Sequence, residues 1–147
     1  MLFRSLAEFV GPHARTRTVF NGVPAAATTS DGDVRKATRD ALGQIASFAS
    51  RDGTFMFGTD VGYIDQYDPT EEYRLLAEAG LTYDQVLASL TTNPARVWRN
   101  PAAGTLRVGN PGDVVLLADD PRGDMRNFAR VRFLVRGGRI VFTSSGE

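Results

Sequence analysis

The sequence predicts a mixed α/β fold, with helices through the middle of the chain and strands gathered toward its end. Three observations carry that expectation. Apolar residues recur at helical spacing from Val34 onward. A short run, Thr54-Phe-Met-Phe57, lies between glycines and stops at Gly58-Thr59-Asp60, as a buried strand would. After about Asn100 the pattern turns to β, ending in two apolar runs around Gly137-Gly138, a two-residue hairpin signal.

Residues 1–33 form a poorly defined N-terminal segment. A weakly amphipathic start gives way to Gly11-Pro12-His13, a short run around Thr18-Val-Phe20, and the small-residue stretch Ala25 to Asp33, which reads as a loop. In the first helix Val34, Ala37, Ala41, Ile45 and Phe48 mark the expected apolar face. Asp31 or Asp33 caps its start, and Arg51 and Gly53 suit its end.

Pro69-Thr70-Glu71-Glu72 opens the next helix, with a capping hydroxyl followed by acids where the helix dipole favours them, and Gly80 closes it. Thr82 and Gln85 have capping-box spacing for a third helix whose apolar face includes Val86, Leu87 and Leu90. Asn93-Pro94 reads as a cap followed by proline at the first helical position. Strands are expected at Gly104–Val108, Val114–Ala118, Val131–Arg136 and Arg139–Phe142.

At 147 residues the chain has the length of one ordinary domain. Its apolar fraction of 42% and charged fraction of 23% are those of a soluble globular protein. A formal net charge of zero gives no electrostatic case for nucleic acid or an anionic membrane. No apolar run in the second half approaches the ~20 residues a bilayer span needs. The absence of cysteine excludes disulfides, thiolate metal sites and cysteine nucleophiles, and fits a cytoplasmic protein.

Asp60 is the leading candidate for chemistry. A carboxylate at the C-terminal mouth of a parallel strand occupies the place where α/β folds keep their active-site groups. There it can bind a metal or take a proton from an activated water; the structural alternative is a strand-end cap. His13 is the single histidine, so one copy of the chain cannot build a histidine-rich metal centre. Glu71-Glu72 reads as a solvated helix start and Asp119-Asp120-Pro121 as a turn. No Gly-x-Ser-x-Gly elbow or phosphate-binding glycine loop occurs.

In combination, five segments resemble the C-terminal end of the amidohydrolase superfamily, in particular its imidazolonepropionase-like branch. They are Phe57-Gly-Thr-Asp-Val-Gly62, Glu72 to Thr82, Leu90-Thr-Thr-Asn-Pro-Ala-Arg96, Gly104 to Val115, and Val131 to Val141. The resemblance covers residues 34–143, in the family's order.

The resemblance implies a partial (β/α)8 barrel, its last strands and helices within residues 34–99. Residues 100–147 would then be one segment of a small β-sandwich that both ends of the chain build. Asp60 would be the catalytic and metal-binding aspartate that ends the eighth strand. The complete enzyme would hydrolyse C–N bonds of non-peptide or cyclic amides with a divalent metal, zinc being the expected one.

The family's His-x-His pair and its bridging lysine or glutamate have no counterpart. Lys36, the only lysine, lies on an expected helix, and His13 stands in an unmatched setting. The chain is therefore expected to be a truncated or split C-terminal portion. It would associate with itself or with a complementing chain, because unpaired apolar strand edges invite association. The alternative is a non-catalytic remnant or an oligomerising scaffold.

Overall fold

A computed structural model describes residues 19–20, 23–24, 31–58 and 67–145. Strands β1 (Val19–Phe20) and β2 (Val23–Pro24) form a minimal antiparallel pair. Helix α1 runs from Asp31 to Ala49. Of the expected face Ile45 is buried and Ala41 packs partly buried against the core, the Val34 side chain lies outside the described residues, and the other buried positions are Thr38, Leu42 and Ala49. Ala37 and Phe48 lie exposed instead. Two overlapping stripes of helical period were available, and packing against α2 and α3 rather than spacing within the helix selects between them. Asp52, in the left-handed region at φ 56°, ends the turn after α1.

Residues 54–58 join no strand ladder among the described residues, so the expected strand at Thr54–Phe57 is corrected to a segment without regular secondary structure. Helix α2 spans Thr70–Glu78. Its cap is not Thr70: Pro69 occupies the cap position and offers no acceptor, and Asp68 Oδ1 reaches over it to accept from the Thr70 N–H at 2.9 Å. The helix closes in a Schellman motif. Gly80 N–H donates to Ala77 and Leu81 N–H to Leu76, with Gly80 at φ 84°.

Helix α3, Tyr83–Leu90, starts with the expected capping box: Gln85 N–H donates to Thr82 Oγ1 at 3.2 Å, and Thr82 N–H to Gln85 Oε1 at 2.9 Å. Helix α4, Thr92–Val97, follows at once. Asn93 is not its cap, since Thr91 holds that position and the Asn93 side chain points elsewhere, as described below.

Residues 101–113 run through turns, and the expected strand at Gly104–Val108 does not form. Its alternating pattern meets no ladder partner among the described residues; Asn110 Nδ2 instead ties back to the Thr105 carbonyl at 3.1 Å. Three strands follow, β3 (Val114–Leu117), β4 (Val131–Arg136) and β5 (Arg139–Thr143), antiparallel in that order. Gly137 and Gly138, at φ 56° and 75°, make the two-residue turn between β4 and β5 that only residues tolerant of positive φ allow. A 3-10 turn, Met125–Ala129, sits between β3 and β4, with Asp124 capping it.

The core joins α1, α2 and α3 around Leu42, Ile45, Leu75, Leu76, Leu81 and Val86, and it takes in Phe55 and Phe128. Phe128, on the 3-10 turn, anchors the sheet to the helices by packing on Tyr73 and Tyr83. Among the described residues no helix is long and apolar enough to cross a membrane.

Candidate active-site region

The segment Thr54–Gly58 leads toward Asp60 in sequence, and helices α3 and α4 hold it at Thr54, Phe55 and Phe57. Arg96 donates to Thr54 Oγ1 at 2.9 Å, Asn93 Nδ2 donates to the Phe55 carbonyl at 2.9 Å, and Phe57 N–H donates to the Ser89 carbonyl at 3.1 Å. Asn93 thus satisfies a backbone acceptor 38 positions away rather than its own helix end.

Side chains hold the same segment as well. Phe55 is buried and meets Phe48 edge-on, with centroids 4.9 Å apart. Phe57 stacks flat on Tyr73 at 4.8 Å. A segment fixed by three hydrogen bonds and two aromatic contacts is a rigid support for whatever its C-terminal end carries.

At that end lies a cavity of about 30 Å³, room for roughly one water. Phe55 to Gly58 line it from the segment, the core residues Ile45, Leu76 and Leu81 close it, and Glu72 and Ser89 are its polar members. Ser89 spends its hydroxyl proton on the Val86 carbonyl at 2.7 Å, which leaves the oxygen's lone pairs as acceptors.

Glu72 is only 5% exposed, which corrects its expected role as a solvated helix-start acid. Its neighbour Glu71 does behave that way, paired on the surface with Arg74, which also reaches Glu78. Consecutive helical positions differ by about 100°, so both acids cannot share a face. Glu72 stands with Leu75, Leu76 and Ala79 at i, i+3, i+4 and i+7, the buried stripe of α2. That spacing was the sequence signal for Glu72. Beside it, burial of Tyr73, reinforced by the charge of Glu72, pushes the phenol up to about 12.

Asp60 and His13 lie outside the described residues. Lys36 sits exposed on α1, paired with Asp40 at 2.7 Å and brought to no metal-binding partner. Asp119 pairs with Arg130 at 2.6 Å, and Asp120 accepts from the Arg122 N–H at 2.9 Å, as turn residues do. Among the described residues no three His, Cys, Asp or Glu side chains come together as a metal site.

Comparison with solved structures gives the same fold in longer chains. A Xaa-Pro dipeptidase with bound methionine in its active site matches with a TM-score of 0.72 at 17% identity, over 95% of this chain and 33% of that one. An uncharacterized protein matches at 0.72 and 21%, over 95% of this chain and 35% of that one. An amidohydrolase matches at 0.65 and 23%, over 85% and 30%. The chain therefore spans about a third of the length of the structures it resembles. No curated protein matches it. The sequence profile of the amidohydrolase family matches residues 16–141, nearly the whole chain, and with that match the chain belongs to the amidohydrolase family.

Proposed function

We propose that this chain is the C-terminal portion of an amidohydrolase whose complete form hydrolyses C–N bonds of non-peptide or cyclic amides. The observation that carries the reading is the family match over residues 16–141, in which the rigidly held Thr54–Gly58 segment leads directly into Gly58-Thr59-Asp60. In that reading Thr54–Gly58 is a barrel strand whose ladder partners belong to the remainder of the enzyme, and β3, β4 and β5 are one part of a β-sandwich. One of the similar structures is a dipeptidase, so amide cleavage is among the activities found on this fold.

Asp60 is the proposed catalytic carboxylate. It takes a proton from the attacking water and passes it to the leaving nitrogen, so that one group serves as base and then acid. The complete enzyme would employ a divalent metal. The described residues do not fit one, since they bring no ligand set together, so the remaining ligands must come from other parts of the polypeptide or another chain.

The test has two arms. The isolated chain should contain no stoichiometric zinc or manganese; a stoichiometric metal lost on Asp60→Asn would show that this chain builds the site by itself. When the chain is supplemented with a polypeptide providing the missing histidines, amide hydrolysis should appear. Asp60→Asn should then lower kcat by about 10²-fold or more. An active complemented enzyme indifferent to Asp60→Asn would sink the assignment.

A second reading, a non-catalytic oligomerising scaffold, draws on the exposed apolar row Val115, Leu134 and Phe142 across the sheet. It expects a stable homo-oligomer without hydrolase activity under any complementation.

A further inference from the structure

We propose that the groove between α4 and the turn that follows it binds a small organic anion, an oxyanion on an apolar body, through Arg96 and Arg99. The groove has a volume of about 470 Å³, within the range of small-molecule sites. Its apolar wall comes from Ala95, Pro101 and Ala103, its positive charge comes from the two arginines, and among the described residues no acidic side chain lines it.

Neither guanidinium is neutralised: no carboxylate among the described residues lies within ion-pair distance of Arg96 or Arg99. Arg96 is held in place by its bond to Thr54 Oγ1 at 2.9 Å, which uses one N–H of five. The others remain to meet a carboxylate or phosphate, the planar anions that a guanidinium fork suits.

The backbone at Arg99 is the second observation. Arg99 N–H donates to the Arg96 carbonyl at 3.2 Å and Asn100 N–H to the Ala95 carbonyl at 2.8 Å, the same pair of bonds that Gly80 and Leu81 make at the end of α2. Arg99 therefore occupies a glycine position, at φ 54°. A β-carbon is strained there, and glycine would relieve it; the strain is tolerated at a residue that lines the groove.

The groove is also preformed. Gly104 packs so closely on the start of α4 that a β-carbon would sit 2.5 Å from the Thr91 carbonyl oxygen, and Ala103 N–H donates to the Asn100 carbonyl at 3.1 Å. Little ordering is left for a ligand to impose.

The experiment titrates the 147-residue chain with phenyl phosphate, benzoate, inorganic phosphate and phenol, read by calorimetry and by amide NMR shifts at Ala95 and Ala103. At least one aryl anion should bind with Kd of ~1 mM or tighter, and the stronger of the two distinguishes phosphate from carboxylate recognition. Inorganic phosphate should bind about tenfold more weakly, and phenol not measurably.

Arg99→Gly should hold or raise Tm while weakening the aryl anion about tenfold, and Arg96→Gln should weaken it similarly. Because Arg99→Gly relieves strain, a loss of binding in that variant cannot be ascribed to unfolding. Affinity unchanged in Arg99→Gly, NMR shifts away from the groove, or no aryl-anion binding below 10 mM (on the order of ten times the expected Kd) would each overturn the proposal.

Discussion

Tyr73 shows how a single burial event sets a pH limit on stability. Its phenol is pushed up to about 12 by burial, with the charge of Glu72 adding to the effect. In the unfolded chain the same group loses its proton near 10. Between those values the unfolded state binds fewer protons than the folded one, so stability falls as pH rises. The stability is fully present below pH 10 and is lost progressively toward 12, a change of order 2–3 kcal/mol. Urea unfolding across this window should show that loss, and Tyr73→Phe should flatten it. Neither Tyr73 nor Glu72 declares itself in the composition. Glu72 was legible in the spacing of α2, where it shares a stripe with Leu75 and Leu76, but an acid at a helix start invites the solvated reading first.

At the scale of elements, local chemistry was readable and long-range pairing was not. The Thr82–Gln85 capping box and the Gly137-Gly138 turn depend on residues within four positions of one another, and both form as their spacing indicates. Asn93 carries equally good local chemistry for a cap, yet its amide serves Phe55, and only the tertiary fold decides that competition. Thr54–Phe57 and Gly104–Val108 have strand-like residues, but a strand exists only through its partner. The Asn93 bridge can be tested directly. Asn93→Ala removes the amide that donates to the part-buried Phe55 carbonyl and should cost about 0.5–1.5 kcal/mol. Amide hydrogen exchange at residues 55–58 should accelerate more than at β4; uniform acceleration would mean that the bridge supports the whole fold rather than this segment.

For the molecule as a whole, family and fold class were legible because five motifs stand in order along the chain, a constraint that no single one of them supplies. The surroundings of Asp60 were not legible, because they depend on residues far from it in sequence, and Asp60 lies outside the described residues. Among the described strands β5 lies at the sheet's edge with all five residues exposed, Ile140, Val141 and Phe142 among them.

The consequence of that edge is one of reaction order. Refolding is a first-order event within a chain, whereas the meeting of two β5 edges is second order, so the fraction of chains that refold productively should fall as protein concentration rises. A lysine in place of Val141 sets a like charge on every such encounter. Val141→Lys should make refolding yield, followed by light scattering after dilution from urea, nearly independent of concentration while leaving the unfolding free energy within about 0.5 kcal/mol of its original value.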